Sequence, residues 1–214
     1  MSFRALTRAA NTAILIALTC AAQTEPGSHS CTAEIGGGYD LVRGGDGSYL
    51  GGVAGFQAGG GFVLRNNLAL TFDFMYDATY VKASALAAST APGATAPGVP
   101  SAKARYYTVT FDPTYRIRPR RRVSPYVLGG FGWLRRSAEF TAPAPNPVIY
   151  PGSFPTPGVG ASSTANTGVF DVGGGFDIAL PRTGLKFYAE ARFVKGLAFN
   201  SHTRLVPIVF GFRW

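Results

Sequence analysis

The chain has 214 residues, enough for one domain of ordinary size. Only 14% of them are charged, while glycine (28), proline (15) and aromatics (13%) are plentiful, a mix that excludes a water-solvated helical enzyme and a disordered tail. The formal charge is +9, but the 20 basic residues are scattered, which argues against a nucleic-acid-binding face.

Residues 1–22 have the three parts of a secretory signal peptide: Arg4 and Arg8, the apolar stretch Ala13–Leu18, and small residues up to Ala22. Residues 23–31 read as a short polar linker. With Cys20 in the leader, Cys31 stands alone in the mature chain, so neither a structural disulfide nor a metal site is expected. No later stretch is long enough for a transmembrane helix. A membrane span in this chain therefore requires a closed barrel, since only helices and closed barrels satisfy every backbone group in lipid.

Residues 32–214 carry eight segments with a two-residue period. The first, 33–41, sets Ile35, Tyr39 and Leu41 against Glu34 and Asp40. The second, about 50–64, has Phe56, Ala58, Phe62 and Leu64 on one face and Gln57 on the other, and Arg65-Asn66-Asn67 turns it into the third. That segment, 68–82, is the clearest: Leu68, Leu70, Phe72, Phe74, Tyr76 and Tyr80 alternate with Thr71, Asp73, Met75 and Asp77. In 105–117, Tyr107, Val109, Phe111 and Tyr115 oppose Thr108, Thr110, Asp112 and Arg116. Segment 125–137 is ambiguous because Gly129, Gly130 and Gly132 blur its faces. In 168–180, Phe170, Val172 and Phe176 oppose Asp171 and Asp177, and in 185–194, Leu185, Phe187 and Phe193 oppose Lys186, Glu190 and Arg192. The last segment, 204–214, alternates Val206, Ile208, Phe210, Phe212 and Trp214 with Pro207, Gly211 and Arg213. The runs Gly36–Gly38, Gly59–Gly61 and Gly173–Gly175 lie inside strands with no following helix, so they read as kinks or close-packing points rather than phosphate loops.

Connections alternate between short turns and longer links, the longest near 83–103 and 138–166. Short turns at one end and longer loops at the other are the membrane-barrel layout. Charge decides which face points inward. Of the 11 acidic residues, eight fall on the polar face of a strand. The opposite face is so rich in rings that an eight-stranded interior, only just wide enough for side chains, would be overfilled. The expected fold is therefore all-β, an eight-stranded antiparallel up-and-down transmembrane barrel with rings outward. Its lumen is expected to hold a polar network of Asp73, Asp112, Arg116, Asp171, Asp177, Lys186, Glu190, Arg192 and Arg213 that closes it to conduction.

The final segment resembles the C-terminal signal of bacterial outer-membrane barrels, with a terminal aromatic and apolar residues at every second position before it: Val206, Ile208, Phe210, Phe212 and Trp214. With the leader, the eight segments and the loop asymmetry, the chain resembles the small OmpA/OmpX-like outer-membrane barrels. The resemblance implies a monomer exported through the periplasm into the bacterial outer membrane, and a last strand read by the barrel-assembly machinery. In that orientation the outer strand ends carry Arg43, Lys82, Lys103, Arg105, Arg135, Arg136, Lys195 and Arg204. This basic rim is expected to meet lipopolysaccharide phosphates, for which arginine forks are suited. The function expected is non-catalytic, structural or surface-interacting, with no cofactor. The alternatives are a narrow transport or ligand-binding barrel, or an enzyme modifying lipid A. For the enzyme only His29 and His202 are available as histidines, and Ser201 beside His202 in sequence does not align one side chain on the other.

Overall fold

The computed structural model describes residues 31–43, 53–80, 102–119, 121–140, 162–197 and 204–214. Residues 1–30, on which the expected signal peptide and most of the expected linker fall, the central parts of both long connections, Lys82 and His202 lie outside the described residues. The described chain forms eight strands: β1 (Cys31–Arg43), β2 (Val53–Arg65), β3 (Leu68–Tyr80), β4 (Ala102–Arg116), β5 (Val123–Phe140), β6 (Ser162–Ala179), β7 (Lys186–Gly196) and β8 (Arg204–Arg213). Each pairs antiparallel with its neighbours in sequence, and β8 returns to β1, so the sheet closes into a barrel.

Closure is completed where β1 begins and β8 ends. Ala33 and Trp214 exchange both backbone hydrogen bonds at 3.0 Å, and from there the register runs from Glu34↔Arg213 to Arg43↔Arg204. A closed sheet leaves no unpaired edge. The tight turns sit at the end of the barrel where β1 begins and β8 ends. Asn66-Asn67 joins β2 to β3, with a register shift between Val63 and Arg65. The β6–β7 turn places Arg182 and Gly184 in the left-handed region (φ 68° and 70°), and Leu180 N–H closes it on the Leu185 carbonyl at 2.9 Å.

The period-two patterns locate the strands but not all their ends. β5 and β6 pair continuously out to Glu139↔Ser162, so residues 138–140 and 162–166 are strand rather than the start and finish of a long loop. β4 already begins at Ala102, and Cys31 belongs to β1 rather than to a linker. Apolar alternation fades before pairing does, because side chains near the far end of the barrel no longer need to be greasy while backbone groups still need partners.

Strand alternation places the rings outside. Phe72, Phe111, Phe131 and Phe170 occupy one row by register across β3 to β6, with Phe72–Phe111 and Phe111–Phe131 centroids 4.8 and 6.1 Å apart. Phe72, Phe131 and Phe170 are exposed, Phe131 to 66%, and Phe111 is half-buried between its neighbours. Large exposed apolar areas of this kind mark a surface made for something other than water.

Glycine clears the inside for large side chains. A Cβ on Gly211 would meet the Ile35 carbonyl, the Gly36 Cα and the Tyr188 ring, and one on Gly36 would meet the Tyr188 hydroxyl. The two glycines are paired in register and form the trough that holds the buried Tyr188 side chain. Gly211→Val is expected to displace Tyr188 and lower stability by about 1–3 kcal/mol through overpacking. Urea unfolding in detergent micelles, followed by tryptophan fluorescence, measures the loss.

Candidate functional site in the barrel interior

The inward positions carry an unusual concentration of charge. Glu34, Asp40, Asp73, Asp77, Asp112, Asp171, Asp177 and Glu190 are all buried, as are Arg116, Arg192 and Arg213. Burying an isolated ion costs many kcal/mol, so such groups persist only with partners.

Arg192 on β7 is one hub. Its guanidinium reaches Asp73 Oδ2 on β3 at 2.5 Å and Asp112 Oδ2 on β4 at 2.6 Å. Asp171 Oδ2 on β6 lies at 3.5 Å, and Nε donates to Glu190 Oε1. Thr110 Oγ1 adds a 2.8 Å hydrogen bond to Asp112 Oδ2. One cation thus holds carboxylates from four strands. Room for them comes from small residues on the adjoining strands: a Cβ on Gly59 would strike Asp73 Oδ1, and one on Gly130 would strike Asp112 Oδ1.

Arg213 on β8 is the second hub, one layer nearer the termini. It donates to Glu34 Oε2 from Nε at 2.6 Å and to Asp177 Oδ1 from Nη1 at 2.8 Å. Its guanidinium also lies 4.8 Å from the ring centres of both Tyr126 and Tyr188, a two-sided cation–π clamp. Glu190 joins the hubs. Besides Arg192, it accepts from the Tyr126 hydroxyl at 2.7 Å and lies 3.7 Å from Arg213 Nη2. Gln57 Nε2 donates to Glu34 Oε1 at 2.7 Å, and Arg116 Nε lies 3.4 Å from Asp177 Oδ2. The result is a continuous chain of charge-assisted contacts across the interior.

Above it, toward the end away from the termini, the filling changes character. Met75, Ala104, Tyr106, Leu134, Val169, Val194 and Leu205 form a buried apolar cluster. The residues gathered by Arg192 and Arg213 lie on the terminal side of this cluster, whereas Asp40, Asp77 and Arg136 are further buried charged groups at its level or beyond it.

Sequence reasoning and geometry differ in three places. Lys186 faces inward at the mouth, half-buried, and takes part in no ion pair among the described residues. Arg136, expected on the outer rim, is 8% exposed and faces inward beside Leu134 and Ala138. The glycines of β5 hide this parity. The same ambiguity conceals Tyr126, which continues the inward alternation Tyr126, Leu128, Gly130 and is legible once the neighbouring register is known. Of the other rim residues, Lys103, Lys195 and Arg204 are exposed and Arg135 is half-buried. Arg105 is engaged in a two-pronged pair with Glu139 at 2.9 and 3.1 Å. Arg43 pairs with Arg204 in register.

Removing Arg192 leaves Asp73, Asp112 and Asp171 without a cation in contact among the described residues. Arg192→Gln is expected to cost about 3–5 kcal/mol, the usual effect of orphaning a buried charge. Adding Asp112→Asn to Arg192→Gln should recover part of the loss. Equilibrium urea unfolding of both variants in lipid vesicles checks the sign of the coupling.

No protein-family model and no curated protein matches the chain. Solved structures do. The neisserial surface protein A is 15% identical, with a TM-score of 0.56 over 86% of this chain and 95% of that one. Ail, the attachment invasion locus protein of Yersinia pestis, is 16% identical, with a TM-score of 0.52 over 86% and 97%. A major outer membrane protein of Thermus thermophilus is 12% identical, with a TM-score of 0.51 over 87% and 99%. At these identities the likeness is one of architecture: the chain has the fold of the small eight-stranded outer-membrane β-barrels.

Proposed function

We propose that the chain is a non-catalytic integral protein of the bacterial outer membrane, a monomer with a structural or surface-interaction role and a lumen closed to ions. The observation that carries this reading is the inversion of polarity. Phe56, Phe72, Tyr115, Phe131, Phe210 and Phe212 are exposed on the outer wall, while eight carboxylates are buried inside. A soluble barrel places these groups the other way round. Strands of 10 to 18 residues meet the roughly 9–11 needed to cross hydrocarbon at a tilt.

Two features favour a closed lumen over the narrow-transport alternative. Arg192 and Arg213 spend their donors on protein carboxylates, and the apolar side chains of Met75, Leu134 and Leu205 pack the lumen beyond them.

The partners proposed for the outer wall are acyl chains and lipopolysaccharide. Lys195 and Arg204 are register partners, and Arg204 pairs in turn with Arg43. Like charges set side by side on a sheet repel, and phosphates of lipopolysaccharide would relieve them. The outward row Val206, Ile208, Phe210, Phe212 and Trp214 is proposed as the segment read by the assembly machinery during insertion.

Three outcomes are expected. In membrane fractions the unboiled protein should migrate differently from the boiled protein on SDS gels, and in planar bilayers it should show no sizeable single-channel conductance. Regular conductance steps would favour the transport reading. Lys195→Gln with Arg204→Gln should lower the melting temperature more in lipopolysaccharide than in neutral detergent, whereas equal shifts would defeat the lipopolysaccharide contact.

A further inference from the structure

At the end of the barrel where β1 begins and β8 ends, backbone hydrogen bonds hold the described residues of the β4–β5 turn against its neighbours. Arg121 N–H donates to the Arg118 carbonyl at 3.1 Å, Ile117 N–H to the Pro125 carbonyl at 2.8 Å, and Ala179 N–H to the Arg122 carbonyl at 2.8 Å. Under this turn lies a cavity of about 280 Å³ whose walls include Arg121, Arg122, Ser124, Asp177 and Lys186.

The charge in that cavity is one-sided. Asp177, its acidic wall residue, is already held from the lumen by Arg213 at 2.8 Å and Arg116 at 3.4 Å. Arg121, Arg122 and Lys186 enter no ion pair among the described residues. Ser124 is 4% exposed, and its Oγ is buried with no hydrogen-bond partner among the described residues. A buried hydroxyl without a partner costs free energy unless a ligand or water supplies one. Three cations and a spare hydroxyl donor around one space suit a group with several acceptor oxygens and negative charge.

We propose that this mouth cavity binds a phosphate group, held by the charges of Arg121, Arg122 and Lys186 and by a hydrogen bond donated from Ser124 Oγ. The cavity has room for a phosphate or a lipid headgroup but not for acyl chains. The same chemistry is offered by a phosphate-bearing solute and by the headgroup of an anionic phospholipid in the leaflet at this end. Lys186, which makes no ion pair among the described residues, gains a role here that the Arg192 and Arg213 hubs do not give it.

The test uses the full chain folded in neutral maltoside micelles and in nanodiscs. Titration calorimetry with inorganic phosphate in the micelles addresses the solute. Native mass spectrometry of lipid retained from nanodiscs of mixed phosphatidylglycerol and phosphatidylcholine addresses the headgroup. The proposal stands if saturable phosphate binding, or selective retention of phosphatidylglycerol, weakens at least tenfold in both Lys186→Gln and Arg122→Gln. Arg182→Gln, on the exposed β6–β7 turn outside the cavity, should leave it unchanged. Binding in the micelles identifies a solute site, and retention of phosphatidylglycerol alone identifies a headgroup site. Neither signal in the wild-type chain, or an equal loss in Arg182→Gln, overturns it. Heat-dependent gel mobility confirms that each variant is folded, and Ser124→Ala provides a variant that keeps every charge.

Discussion

Arg192 carries the constraint on which the interior depends. A cylinder walled by eight strands gathers inward side chains into a narrow, water-poor space, where opposite charges attract strongly and unpaired ones are costly. Asp73, Asp112, Asp171 and Glu190 come from four places in the sequence, yet all close on this one guanidinium. Without it their mutual repulsion would be uncompensated. Arg213 repeats the arrangement one layer away, and Glu190 ties the two together. The exposed outer wall can be generic as long as it is apolar, whereas the inside must match residue to residue.

The division between wall and interior explains what can be read from sequence. Alternation of Phe72, Phe74 and Tyr76 with Asp73, Met75 and Asp77 marks a strand whatever its partner, because parity is a local property. Closed antiparallel topology follows from eight such strands with short turns. Local parity likewise assigns Asp171, Asp177, Glu190 and Arg192 to one side of their strands. What it cannot supply is register, and ion pairs are contacts of register. Nothing near Glu34 in sequence points to Arg213. Nor does anything around Tyr126 reveal that its ring stacks on the same arginine. In β5 even parity is obscured, since Gly129, Gly130 and Gly132 give no sign of face, and for that reason Arg136 reads as a rim residue in the sequence alone.

The glycine runs show how much an uninformative stretch can hold. Gly36 and Gly211 have no side chain to signal a role, but their bareness is the space that Tyr188 fills. Tyr188 in turn flattens against Arg213. Gly59 and Gly130 give the Asp73 and Asp112 carboxylates the same clearance. Packing by omission leaves no periodic trace, and it becomes visible only when the opposing strand is placed.

The seam between the first and last strands has a kinetic consequence. Arg213 meets Glu34 across 179 residues of sequence, so the polypeptide must be essentially complete before its strongest lower contacts can form. Folds dominated by such distant partners cross their barrier slowly. Once joined, unzipping at that seam has to break backbone pairing and a buried ion pair together. The molecule should therefore be slow to enter its native state and slower still to leave it, with persistence governed by the height of an escape barrier rather than by equilibrium alone.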